Sequence, residues 1–315
     1  MEGQAVYGNT KFRYKIAKII AGFYSKTAGN YNVGSVLKAI ELYKLLKKHK
    51  GQKNVVHFLN GERDIRHLKF FKRKFPNTRF CATFHKPPQI LKQTITNPAA
   101  LQQLDGAIAV GANQVNFLKD WLQLKNISYI PHGVDTTFFT PNTSVKKKNT
   151  LLFVGQHLRD FDMLNATIPK LALKISELQV KVVVHPAYKS RVTPHKCLTI
   201  LTNIDDAQLR RLYQEATLLY LPMLDSTACN SLLEALACGL PVITSNVGGN
   251  AMYLEGTASM LVEGGKTDEF VTTTTTLLQD EPRLLGMGES SRKKSIYLDW
   301  AKVANSITNF YKTLH

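Results

Sequence analysis

At 315 residues the chain is long enough for two domains. Its 44% hydrophobic and 20% charged content excludes a largely disordered protein. The net charge of +18 lies entirely in one half: residues 1–150 hold 25 Lys/Arg against 7 Asp/Glu, and residues 151–315 hold 16 of each.

Taken in chain order, the first predicted element is a basic helix. Val36, Leu37, Ile40, Tyr43, Leu45 and Leu46 fall on one side of it, and Lys38, Lys44, Lys47 and Lys48 fan outward. That pattern suits an ordinary surface helix with snorkelling lysines, or a contact with a membrane surface or polyanion. Short apolar runs follow, read as strands: 55–59 ending at Asn60-Gly61, 80–84 stopped by His85-Lys86-Pro87-Pro88, 107–110 ending at Gly111, and 127–130 closed by Pro131-His132-Gly133. A helix is expected between them over 113–122. Continuous apolar strands alternating with helices imply parallel sheets covered on both faces.

Residues 141–149 are polar and charged, and mark a boundary. The alternation then restarts. Strands are predicted at 151–154, 180–184, 198–201, 218–221 and 241–244. Helices are predicted at 207–215, with Asp205 or Asp206 as N-cap, and at 231–238, closed by Gly239. A last helix runs from Trp300 to Tyr311. The expected architecture is α/β with two Rossmann-like domains: 1–142 on the basic side, 143–298 next, and a C-terminal helix in 299–315. The Thr272–Thr276 run is the single low-complexity stretch.

Ligands of such sheets bind beyond the carboxyl ends of the strands, which nominates the loops after Phe84, Ile130, Val154, Leu221 and Thr244. The loop after Leu221 is the richest. Asp225, Ser226, Thr227, Ala228, Cys229 and Asn230 lead into a helix whose free N–H groups suit anions and hydroxyls. Glu234, one turn inside, could accept from a ribose diol or simply be a solvated helix carboxylate. After Val154 come Gly155, Gln156, His157 and Arg159. There a Gly turn could approach a phosphate and the guanidinium could grip it, or could pair with Asp160 or Asp162. His85 stands before two prolines that would hold its ring in place. The cysteines Cys81, Cys197, Cys229 and Cys238 have no CxxC or zinc-ligand spacing, so no metal site is expected and a reducing compartment is inferred. No signal peptide and no apolar run near the roughly 18 residues of a membrane span are seen. The expected location is cytoplasmic, at most peripheral at a membrane surface.

The stretch Leu221–Gly249, together with 130–141, 151–164 and 206–220, resembles the group 1 (family 4) retaining glycosyltransferases in content and order. The resemblance implies a GT-B fold, two Rossmann-like domains with parallel sheets facing an interdomain cleft. It implies metal-independent transfer from a nucleotide sugar, a co-substrate rather than a cofactor. It also implies that the final helix crosses back to the first domain. Carried over by position, His85 would touch the donor sugar. Asp225 and Ser226 would stand at the reacting centre, with Ser226 where the family has a Glu. Thr227, Ala228, Cys229, Asn230 and Leu233 would line the donor, and Glu234 would hold the ribose. Gly155, Gln156 and His157 would border the diphosphate, with Gln156 where the family has an Arg. Arg159 would replace the family's Lys across a turn two residues shorter. The charge on the acceptor half implies an acceptor that is membrane-linked or an anionic glycan, and an anionic membrane surface as a further partner. Two other readings stay open: a degenerate GT-B protein acting as a subunit or sugar-binding module, and a nucleic-acid binder. The latter rests on charge without the interleaved aromatics that single strands stack on.

Overall fold

The computed structural model describes residues 3–25, 31–144 and 148–315. The Ala28–Asn30 part of the glycine-containing segment before the basic helix, and Lys146–Lys147, lie outside the described residues.

The first unit comprises Met1–Ile130 and Ser306–His315, and the second Pro131–Asn305. The chain therefore divides after Ile130 and Asn305 rather than at 142 and 298. Residues 131–142 go with the second unit because Val134 bonds to the Leu298 carbonyl, Arg210 reaches the Phe138 carbonyl, and Gln214 reaches that of Thr140.

In the first unit, helices α1 (Tyr14–Ser25) and α2 (Val33–Lys48) precede β1 (Asn54–Phe58). Then come α3 (Leu68–Lys74), β2 (Thr78–Phe84), α4 (Pro88–Thr94), β3 (Gly106–Ala109), α5 (Val115–Leu122) and β4 (Ile127–Tyr129). The four strands form one parallel sheet in the order β1-β2-β3-β4. Its centre is continuous apolar sequence, and β3 is buried along its whole length. Helix α2 starts with a reciprocal capping box between Asn32 and Ser35. Its Val36, Leu42 and Leu46 are buried. These side chains of the helix are thus packed into the first unit, while Lys44, Lys47 and Lys48 are exposed.

In the second unit, β5 (Thr150–Val154), α6 (Phe161–Lys174), β6 (Gln179–Val183), β7 (Leu198–Leu201), α7 (Asp206–Glu215), β8 (Leu218–Leu221), α8 (Asn230–Ala237) and β9 (Val242–Ser245) follow in turn. They are succeeded by α9 (Asn250–Leu254), β10 (Met260–Val262), α10 (Thr267–Leu278) and α11 (Glu281–Tyr297). Helix α12 (Trp300–Lys312) runs from this unit into the residues assigned to the first. The six parallel strands take the order β10-β9-β8-β5-β6-β7. The chain lays strands outward from β5 in one direction, then returns beside it and proceeds in the other. The β5/β8 pair is therefore the topological switch point, where the loops leaving two adjacent strands part. Asp205 caps α7 through a capping box with Gln208, as its sequence position predicts.

Helix α8 is braced at its far end. Gly239 (φ 62°) takes the left-handed conformation that ends the helix, and the Leu240 N–H returns to the Ala235 carbonyl. Arg292 of α11 donates to the Ala237 carbonyl at 2.8 Å and also reaches Thr136 and Phe139, a cation placed where the helix dipole favours one.

Candidate functional site

The loops after β5 and β8 are laced together. Leu224 N–H donates to the Leu158 carbonyl, Asp160 N–H to the Pro222 carbonyl, and Arg159 pairs with Met223 across an isolated antiparallel bridge. Arg159 is the pin of this lacing. Its Nε donates to the Val154 carbonyl at 2.9 Å, and Nη1 to the His157 carbonyl at 3.0 Å and towards Met223 Sδ. Nη2 donates to Cys229 Sγ at 3.1 Å and Ser231 Oγ at 3.2 Å. Its five N–H donors therefore all point at protein atoms, and the residue is buried. The guanidinium expected to grip a diphosphate holds the two loops together instead, and pairs with neither Asp160 nor Asp162.

The loop after β8 is pressed against the one after β9. A Cβ on Gly248 (φ 54°) would overlap the Ser226 carbonyl oxygen and lie 2.7 Å from Asp225 Oδ1, and one on Gly249 would overlap the Thr227 carbonyl oxygen. The Gly249 N–H donates to the Ser226 carbonyl at 3.0 Å. Two glycines thus let Asp225–Thr227 settle into a fixed course. Asp225 stays half-buried and accepts the Ser226 N–H at 2.7 Å, while Ser226 and Thr227 are buried.

The chain then enters α8 at Cys229 without a side-chain cap; Leu232 and Leu233 N–H donate to the Cys229 carbonyl, which leaves the N–H groups of Asn230 and Ser231 as those that can meet an outside acceptor. Ala228 is half-buried and Asn230 exposed at this entrance, while Cys229 is buried beside Arg159. Leu233 lies in a small core with Val134, Ala237, Tyr253 and Leu298, so it shapes the helix from behind rather than lining an opening. Gly155 and Gln156 are half-buried, His157 is exposed, and Gln156 Oε1 accepts the His185 N–H at 3.4 Å.

Glu234 sits one turn into α8, half-buried, with Oε2 accepting the Tyr213 hydroxyl of α7 at 2.8 Å. Burial pushes its carboxyl up to about 7 against the lowering pull of the Tyr213 bond and the Arg159 charge; nearby Asp206 adds to the rise. Burial and the Glu234 charge hold the Tyr213 phenol well above its ordinary range, so it remains a donor. Glu234 is thereby a carboxyl group held in place by the fold, which corrects the picture of a solvated helix side chain.

His85 belongs to the first unit, at the end of β2. Its ring Nδ1 is 3.7 Å from Glu62 Oε2. The same buried Glu62 accepts the backbone N–H groups of His85 and Lys86 through Oε1. Burial would raise the Glu62 carboxyl, but the His85 and Lys86 bonds more than offset it and the net shift is downward. Behind this pair His57 bridges Tyr311 (2.6 Å) and Thr83 (2.7 Å), and burial pushes its imidazole down to about 4. Neither Glu62 nor Tyr213 stood out in the sequence. Tyr213 carries a faint signal, an aromatic on the buried face of α7, and Glu62 carries none beyond its place in the loop after β1.

Residues 148–280 match the family model of group 1 glycosyl transferases. The matched stretch lies within the second unit and is of group 1 glycosyltransferase type. The chain is 24% identical over 214 residues to the D-inositol 3-phosphate glycosyltransferase of Corynebacterium aurimucosum, covering 59% of this chain and 51% of that protein. It is 24% identical over 212 residues to the D-inositol 3-phosphate glycosyltransferase of Rhodococcus opacus, covering 59% and 48%. The chain spans about half the length of these two relatives. Among solved structures, it resembles a glycosyltransferase from Rickettsia africae (TM-score 0.70, 16% identity, 88% and 80% of the two chains). It also resembles Anabaena HepE in complex with UDP and glucose (TM-score 0.68, 14% identity, 87% and 82%). These likenesses show the GT-B fold.

Proposed function

We propose that the protein transfers a sugar from a nucleotide-sugar donor to an acceptor, with retained configuration and without a metal ion. The observation that carries this reading is the pairing of an uncapped α8 entrance with a Tyr213-held Glu234 one turn inside it, at the switch point of the second sheet. A nucleotide sugar presents a ribose diol to the carboxylate and a diphosphate to the helix N–H groups. As the acceptor oxygen bonds to the anomeric carbon, the bond to the diphosphate breaks and its oxygen takes up negative charge. Amides already aimed at that position stabilise the charge without reorganising. Asp225 and Asn230 are the polar side chains at the entrance that can meet sugar hydroxyls, and the role of His85 towards the donor sugar rests on the family resemblance alone. The relatives and neighbours whose names or ligands include glycosyl transfer, UDP and glucose support the donor class. An anionic or membrane-linked acceptor matches the charge of the basic half, and a cytoplasmic protein peripheral to a membrane matches its composition.

Glu234→Ala is expected to weaken binding of the preferred nucleotide sugar by about 1–3 kcal/mol, the scale of a lost charged hydrogen bond. Thermal-shift screening against UDP, GDP, ADP and their sugars finds that donor, and titration of wild type and variant measures the loss. Equal affinities would overturn the placement, and turnover abolished by chelator would overturn the metal-free reading. A second reading, a sugar-nucleotide-binding subunit without turnover, is favoured by the buried Ser226 and by the internal engagement of Arg159. Donor binding without hydrolysis or transfer would establish it.

A further inference from the structure

Among the described residues, nothing covers an apolar surface presented by helix α1 and the arm before it. Its inner side is packed: Ala17 and Ala21 are buried with Tyr31 and Val36, and Ile20 and Tyr24 lean on them. Its outer side carries Ile16, Ile19 and Phe23, at spacings of three and four, which share one stripe of the helix. Ile19 is 73% exposed and Phe23 77%. Lys15 and Lys18 flank that stripe on one side. Phe12 and Tyr14 add exposed rings at the helix start. No Asp or Glu occurs from residue 3 to residue 40, a span with six Lys/Arg. The first acid reached, Glu41, is engaged by the N–H groups of Gly8 and Asn9, and Lys44 donates to Thr10. The arm is therefore tied to α2, and α1 is held with its apolar stripe outward.

We propose that this face of α1 docks on an anionic lipid surface. The inference deepens the peripheral-membrane part of the functional reading by naming the surface, though its observable needs no sugar chemistry. A helix packed on one side, apolar on the other and edged by lysines lies in the plane of a bilayer interface. Its aliphatic and aromatic groups enter the headgroup boundary, and its ammonium groups meet lipid phosphates. A second copy of this chain would bring the same cations face to face, and a neutral apolar protein groove would leave them unanswered.

The test is flotation of the full chain with vesicles of phosphatidylcholine alone and of phosphatidylcholine mixed with phosphatidylglycerol. Wild type is expected to float with the mixed vesicles, less so as salt rises, and weakly with the neutral ones. Ile19→Ser with Phe23→Ser should lose binding at least tenfold. Lys15→Gln with Lys18→Gln should lose on the order of tenfold on mixed vesicles. Leu173→Ser, at another exposed apolar position, should float as wild type does. All four α1 side chains are exposed, and unchanged melting curves and nucleotide-induced thermal shifts would show that the variants are folded with the donor site intact. Failure of wild type to bind mixed vesicles, equal binding by the Ile19/Phe23 variant, or a self-association of wild type that this variant abolishes without any vesicle binding would each overturn the proposal. Loss of nucleotide response with vesicle binding retained would count against the donor site alone.

Discussion

Glu234 is the residue in which burial and the proposed donor contact meet. Its carboxyl is held near 7 when folded and titrates near 4.5 when unfolded. The folded state thus binds the extra proton, and stability is fully present below about pH 4.5 and is lost as pH rises through 7. With the side chain half-buried, about 1–3 kcal/mol is at stake. Glu234→Gln, which can still accept from Tyr213, should flatten the stability profile between pH 4.5 and 7, measured as melting temperature against pH. Parallel profiles for the two proteins would sink the assignment. His57 works in the other direction: its folded value near 4 lies below the ordinary 6.5, so it erodes stability as pH falls through that window. His57→Gln should lessen the acid-side loss seen in the same melting series.

At the level of elements, the paired loops after β8 and β9 depend on glycine at one strained position. Gly248→Ala combines a left-handed backbone with overlap of the Ser226 backbone carbonyl oxygen, so a loss on the order of 3 kcal/mol or more is expected, along with donor binding. Gly286→Ala is its counterpart. It lies exposed in α11 with open space where the Cβ would go, and should add about 0.5–1 kcal/mol. Chemical denaturation of both variants tests the contrast. The nine predicted strands were legible because their apolar runs are continuous and bounded by turn residues. Their ends shift by a residue or two, as when Leu59 falls outside β1 and is exposed. Strand β10 escaped because three residues, Met260–Val262, give no pattern. Helix α10 escaped because its threonines have weak helix preference in isolation. Burial of Thr274 and a bond from Thr275 to the Val271 carbonyl fit them to the helix nonetheless. The site was legible where it is local, from Asp225 to Glu234. Tyr213 reaches Glu234 from 21 residues away, and Gly248 meets Ser226 from the next strand. Such meetings are made by the fold, and no spacing rule announces them. Arg159 was found for its charge, but its partners, supplied by two loops, decide its task.

For the whole molecule, two units with separate hydrophobic cores divide the charge unequally, and two-state behaviour is not the default for such an arrangement. A nucleotide that binds only the second unit should raise the melting of that unit by mass action and leave the first unit's own transition in place. Differential scanning calorimetry with saturating nucleotide reads this directly, and a uniform shift of a single sharp transition would contradict it. The elevated Glu234 carboxyl has a further outcome once a ribose diol is present. Two hydroxyls that donate to it favour its ionised form, so near neutrality the empty protein carries part of a proton that the loaded protein gives up. Loading with a donor would then acidify an unbuffered solution by a fraction of a proton per molecule, and the heat of titration would differ between buffers according to the enthalpy with which each one takes that proton.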